Sequence, residues 1–180
     1  ALGALDALRA DTGVTFTIHA PYNDVNAGNI HETLREAATT SIVETLDMAA
    51  AIGAGAVVVH GGSVRRSYPD DVRAYARDQA VRTIRRAAEH AERVGVPLCV
   101  ENSREKSKTY QFTATPERLA GFLDDVGVAP PHLGVTLDVG HAKASGVDVD
   151  AFVDALGDRI TVTHLHDNDG PNDDHDPPPE

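Results

Sequence analysis

Apolar and polar positions fall in blocks along this chain rather than alternating residue by residue. Five short runs are continuous or nearly continuous in apolar and β-branched side chains: VTFTIH (14–19), AGAVVVH (54–60), VPLCVE (96–101), LGVTLD (133–138) and ITVTHL (160–165). Such runs predict strands hidden on both faces, as in a parallel sheet, because a half-solvated antiparallel strand would alternate. Between the runs the apolar spacing changes to three and four. HETLREAATTSIVETLDMAAAIGAG and DDVRAYARDQAVRTIRRAAEHAERVG each read as a long helix stopped by glycine, the second with Asp70 and Asp71 in its first turn and Gly95 at its end. TPERLAGFLDDVG and DVDAFVDALGD read as shorter helices, with Thr115 and Asp148 as N-caps and Pro116 in a permitted first-turn position.

Strand–helix alternation implies βαβ units, parallel strands and right-handed crossovers. No GxGxxG follows any strand, so a dinucleotide-binding sheet has little support. The strand ends carry the chemistry instead: His19, His60, Glu101, Asp138 and His164 stand at or next to the ends of the five runs. In a (β/α)8 barrel the C-terminal strand ends form one ring, where active sites are built. A full barrel takes roughly 250 residues and eight strands, whereas this chain offers 180 residues and five runs. It begins at Ala1, without a methionine, inside a helical pattern (LGALDALRA). The expectation is an α/β fold: one incomplete (β/α)8 barrel domain over residues 1–180, read as an excerpt.

Each strand-end residue has a plain structural reading when taken singly. A histidine there is commonly a hydrogen-bonded framework residue, and Glu101 or Asp138 could cap the next helix. Five coincidences in a row favour a metal site, because several carboxylates buried together need a cation to neutralise them. The loops add to this. DVGH sets His141 three residues after Asp138. HLHDNDGPNDDH supplies His166, Asp167 and the pair Asp173-x-His175. ENS places Asn102 beside Glu101, as a partner for a sugar hydroxyl or for a ligand. Mixed imidazole and carboxylate ligands suit Mn, Zn or Co, with Mg also allowed, whereas calcium would want oxygen ligands alone.

Charge and composition then narrow the function classes. The formal net charge is −12, with hydrophobic content of 41% and one cysteine. The acidic balance keeps a protein soluble, points to a halophilic source and counts against nonspecific binding to DNA. Cys99 sits in an apolar run, reads as a buried inert thiol and fits a cytoplasmic protein. No apolar run approaches the ~20 residues of a membrane span. His31 and His90 read as solvent-facing helix residues, His132 as a loop residue, and Arg85, Arg86 and Arg93 as a solvated helix face. Arg65-Arg66 and the run from Arg104 to Lys108 follow strand ends, where ordinary loop charge competes with a phosphate-binding role.

VVVHGGS, VPLCVENS, GVTLDVGHA and THLHDNDGPNDDH resemble, in order and spacing, the xylose-isomerase-like barrel superfamily. The resemblance implies that these are family strands three to seven, with strands one, two and eight outside the sequence. It includes metal-dependent sugar and sugar-phosphate isomerases and epimerases, and DNA-repair enzymes of the endonuclease IV type. For the isomerases it implies metal ligands at Glu101, Asp138 and His164, Glu101 as half of a proton-transferring pair, and a final glutamate on strand eight. His141 then resembles a residue that positions substrate oxygens, with Asn102, His166, Arg104 and Lys108 as further substrate contacts. For the repair enzymes it implies three zinc ions and the wider set His19, His60, Glu101, Asp138, His141, His164, Asp173 and His175. The acidic surface and the form HLHDNDG favour the isomerase. Expected partners are a small sugar or sugar phosphate, with DNA only under the nuclease reading, no membrane, and a homo-oligomer left open.

Overall fold

The computed structural model describes residues 2–170 and 174–177. In chain order the elements are α1 (Leu2–Thr12), β1 (Thr17–His19), α2 (Glu32–Ile52), β2 (Ala56–His60), β3 (Ser63–Arg65), α3 (Asp70–Val94), β4 (Leu98–Glu101), β5 (Thr109–Gln111), α4 (Pro116–Val126), β6 (Leu133–Asp138), α5 (Val139–Ala144), α6 (Val149–Leu156), a 3-10 turn (Gly157–Arg159) and β7 (Ile160–His164). Five strands form one parallel sheet in the order β1-β2-β4-β6-β7. This is an incomplete TIM-barrel wall with helices outside it, as the block pattern predicts.

The helix signals act as read. Gly53, Gly95 and Gly127 end α2, α3 and α4 in the left-handed conformation. Thr115 accepts a hydrogen bond from Arg118 N, and Asp148 accepts one from Asp150 N. Each supplies an oxygen to an otherwise orphaned first-turn N–H.

The sheet's two faces have different jobs. Val57, Val59, Leu98, Val100, Leu133 and Val135 pack with Ile42, Leu46, Ile84, Phe122 and Phe152 of the helices into one core. Side chains alternate along a strand, so Val58 and His60, Cys99 and Glu101, and Thr136 and Asp138 face the other side, the concave barrel interior. The sheet must curl to bring its outer strands together. The rings of His19 and His164, on the first and last strands, lie 6.2 Å apart; four flat strand spacings would separate their backbones by roughly 19 Å.

Several details differ from the sequence reading. The two outer strands are half-exposed rather than fully buried, because each pairs on one side only among the described residues. An antiparallel ribbon of β3 and β5 and the short α5 were not anticipated. Arg85 and Arg86 lie on an exposed face as read, and also tie helices together: Arg85 donates to the carbonyl of Val126, and Arg86 pairs with Glu36. His90 lies 2.6 Å from Asp47, linking α3 to α2, and His31 is the residue preceding α2. No helix among the described residues is long and apolar enough to cross a membrane.

Candidate metal centre

Glu101 and Asp138 end adjacent strands β4 and β6 with their side chains 2% exposed. Around them stand the other strand-end residues. His164 Nδ1 lies 2.6 Å from Glu101 Oε1 and 3.6 Å from Asp138 Oδ2. His60 Nε2 and His19 Nε2 lie 2.9 and 3.4 Å from Glu101 Oε2. His166 Nε2 lies 3.0 Å from Asp138 Oδ1. Two overlapping groups, His19–His60–Glu101 and Glu101–Asp138–His141, have ligand atoms close enough to share an ion.

Backbone contacts orient these rings. His19 Nδ1 contacts the carbonyl of Ala20 at 2.8 Å, and His141 Nδ1 contacts that of Asn102 at 2.9 Å. A carbonyl only accepts, so each Nδ1 carries the proton and the lone pair sits on Nε2. On His19 that atom faces Glu101. Glu101 Oε2 is buried and has no aligned hydrogen bond despite its two imidazole neighbours. Lone pairs converging on one buried oxygen are repulsive unless protons or a cation intervene. The donor set fits a divalent ion of the Mn, Zn or Co type, with imidazole and carboxylate mixed.

The electrostatics agree. Burial alone would raise the Glu101 carboxyl, but the imidazoles of His164, His19 and His60 outweigh it and hold the group well below the usual carboxylate range. Asp138 is likewise lowered: burial opposes ionisation, and His164 and His141 overcome it. Hydrogen bonding to Asp138 and then Glu101 pushes the His164 imidazole up to about 10. Burial would lower His19, but the contact with Glu101 raises it.

Asp138 does two things at once. Its Oδ1 accepts from His141 N at 2.7 Å as the N-cap of α5, so the capping reading holds, while its Oδ2 lies 3.6 Å from His164 Nδ1. Asn102 donates from Nδ2 to the carbonyl of Asp138 and accepts at Oδ1 from its N–H, so this amide holds the end of β6 in place. The loop after β7 folds back through paired backbone hydrogen bonds between Asp167 and Asp176. That closure stacks His175 on His166, ring centroids 4.0 Å apart. Asp173 and Glu180 lie outside the described residues.

Two cavities open at this end of the sheet. The smaller, about 190 Å³, is lined by the strand-end residues together with Tyr22, His141 and His175. The larger, about 540 Å³, shares Tyr22, His60 and His141 with it and extends to Arg104 and Lys106. Lys108 is exposed and does not line this larger cavity, whereas Lys106 does.

The sequence reading missed two contributors, Tyr22 and Asn168. Tyr22 sets its ring 5.1 and 5.3 Å from His19 and His60; its signal was an aromatic three residues after a strand-end histidine. Asn168 donates to the carbonyl of Gly140 and pins the final loop to α5. Gly62, at φ 90°, lets its backbone approach Gly28 N, where a Cβ would sit at 2.9 Å.

Comparison with known proteins follows the same lines. The profile of the xylose isomerase-like TIM barrel matches residues 2–180. An uncharacterized protein of Methanocaldococcus jannaschii is 30% identical over 171 residues, 93% of this chain and 56% of that protein. Endonuclease 4 of Thermus thermophilus is 36% identical over 177 residues, 93% of this chain and 58% of the enzyme. Among solved structures, a D-tagatose 3-epimerase-like protein superposes with a TM-score of 0.84 at 27% identity, covering 97% of this chain and 64% of its own. Endonuclease IV from Thermus thermophilus superposes at 0.70 with 32% identity, covering 92% and 58%. The chain thus spans a little over half the length of these curated relatives. The chain belongs to the xylose isomerase-like TIM-barrel family.

Proposed function

We propose that the protein to which this chain belongs is a divalent-metal-dependent isomerase or epimerase of a small sugar or sugar phosphate. The observation that carries the reading is the larger cavity. It is about 540 Å³, walled by amide and hydroxyl side chains such as Asn23, Ser63, Ser103 and Gln111, and continuous with the Glu101–Asp138–His164 cluster. That volume and lining suit a polyhydroxylated small molecule. The similarity to a D-tagatose 3-epimerase-like structure supports it.

In this reading Glu101, Asp138 and His164 hold the ion, with His19 and His60 at its edge. A divalent ion here supplies positive charge where a carbonyl oxygen becomes negative. Glu101, kept ionised by its imidazole neighbours, takes the proton from the carbon beside that carbonyl. His141, fixed by the Asn102 carbonyl, offers Nε2 to substrate oxygens. Return of the proton on the opposite face needs a second group, which the family resemblance puts on a strand beyond this sequence.

The test is solvent exchange. The complete protein, loaded with Mn, Zn or Co, is incubated in deuterated water with a panel of ketoses, aldoses and their phosphates. Deuterium is expected at the carbon next to the carbonyl, and Glu101→Gln should abolish it. Failure of every sugar to exchange would overturn the reading.

One observation favours a second reading, a phosphodiester hydrolase acting at abasic sites in DNA. The cluster holds more imidazoles than one ion needs: His19, His60, His141, His164 and His166 all lie against two carboxylates. The similarity to endonuclease 4 enzymes supports it. Cleavage of abasic-site DNA without sugar exchange would establish it.

A further inference from the structure

We infer that the larger cavity takes the anionic end of its substrate at Arg104 and Lys106, so that the preferred substrate is an anionic sugar, a phosphate ester, rather than a neutral one. This rests on the isomerase reading and sharpens it.

The first argument is charge. The whole chain carries a formal −12, yet among the described residues the wall of this cavity holds Arg104 and Lys106 against one carboxylate, that of Asp24. A concave region of opposite sign to its surroundings focuses the field and draws in anions. Lys106 forms no ion pair among the described residues.

The second argument is preorganisation. The loop carrying both cations is anchored between them by Glu105. Glu105 Oε1 accepts from Arg66 Nη2 at 2.7 Å and from Arg118 Nη1 at 2.9 Å. Those two guanidiniums also pack on the Tyr110 ring, at 5.5 and 4.3 Å from its centre. Glu105 N donates to Ser145 Oγ, and Arg66 Nε donates to the carbonyl of Lys106. The clamp therefore takes up the neighbouring cations and the intervening carboxylate, while the loop presents Arg104 and Lys106 to the cavity. A cation site held ready in this way loses little on ordering when an anion arrives.

The third argument is reach. The cavity meets the metal-ligand cluster through Tyr22, His60 and His141. A sugar lying along it places its reacting carbonyl beside Glu101 and its far end beside Arg104 and Lys106.

The experiment uses the complete metal-loaded protein. Solvent exchange is compared for pairs of one free sugar, its phosphate ester and the corresponding sugar acid. Binding of inorganic phosphate is measured separately by calorimetry, which needs no turnover. Both are repeated on Arg104→Gln, Lys106→Gln and the double variant. The expected result is a kcat/KM at least about tenfold higher for the ester than for the free sugar, since a charge-assisted contact is worth that or more. The double variant should lose that preference, mainly through KM, and should weaken phosphate binding by a similar factor. A preference for the sugar acid that vanishes in the same variants would uphold the anion site and assign a carboxylate as its occupant. Equal rates on ester and free sugar, or phosphate binding unaffected by the double variant, would overturn the inference while leaving the isomerase reading in place. Absence of exchange on every sugar overturns the isomerase reading instead, and the phosphate titration then still decides whether the anion site exists.

Discussion

Gly140 and the ring of His166 share a space that admits no side chain between them: a Cβ on Gly140 would lie 2.0 Å from His166 Cε1. The glycine is the second residue of α5, two after Asp138, and its missing side chain lets His166 come within 3.0 Å of the Asp138 carboxylate. Helix preference alone favours alanine at such a position by about 1 kcal/mol. The site and the helix therefore pull in opposite directions at this residue. In Gly140→Ala, metal affinity should fall about tenfold, the lower end of losses seen when a ligand's support is disturbed. Calorimetric titration of the complete protein measures this, and unchanged affinity would refute the role given to His166.

Asp138 caps α5 and is the proposed metal ligand, and two substitutions separate the roles. Asparagine keeps an oxygen for His141 N but lacks the negative charge, whereas alanine removes both. Asp138→Asn should retain the fold and lose metal affinity, by about a hundredfold or more given the loss of a charged ligand. Asp138→Ala should also lower thermal stability, by about 1 kcal/mol for the lost cap. If both variants bind metal like the parent protein, Asp138 is no ligand.

Metal removal gives a further test. An ion that binds only the folded chain at a hundred times its dissociation constant stabilises by about 2.7 kcal/mol. Chelation should therefore lower the melting temperature, and Mn, Zn or Co should restore it. The stoichiometry discriminates further: one or two ions per chain suit the isomerase, three the hydrolase.

Acid sensitivity should arise at the start of α2 as well as at the buried carboxylates of the strand ends. Arg35 is buried, and its charge is met by Glu32 and Glu36 at the rim of α2. The Arg35 guanidinium lowers the Glu32 carboxyl from 4.5 to about 2. A carboxylate depressed in the folded state adds stability that is full above its unfolded value and is lost as pH falls through the folded one. Denaturant unfolding should therefore show stability falling between pH 4.5 and about 2. In Glu32→Gln that slope should flatten and stability at pH 7 should drop. An unchanged acid profile in the variant would show that the pair is not coupled to folding.

Residues 1–180 expressed alone should self-associate. Strands β1 and β7 each have one unpaired edge among the described residues, and Leu165 beside β7 is 67% exposed. Free parallel edges recruit further strands. Analytical ultracentrifugation decides this, and a monodisperse monomer would contradict it.

The sequence by itself determined the strands, the long helices with their caps, and the ring of strand-end imidazoles and carboxylates. These are short-range matters: a run of Val, Ile and Thr favours an extended strand wherever it lies, glycine ends a helix through its own backbone, and a βαβ repeat sends each strand end to the same edge. What only the tertiary structure decided is which of those residues meet. The curl of the sheet brings His19 to His164 across five strands. The fold of the last loop sets His175 on His166, and the β3–β5 ribbon places Lys106, two residues before Lys108, in the cavity wall. The long-range partners of Arg85, Arg86 and His90 were not legible, because a helix pattern names a polar face without naming its neighbours. Their partners Val126, Glu36 and Asp47 lie 41, 50 and 43 residues away. Contacts across such distances depend on how helices pack around the barrel, and no local pattern encodes them.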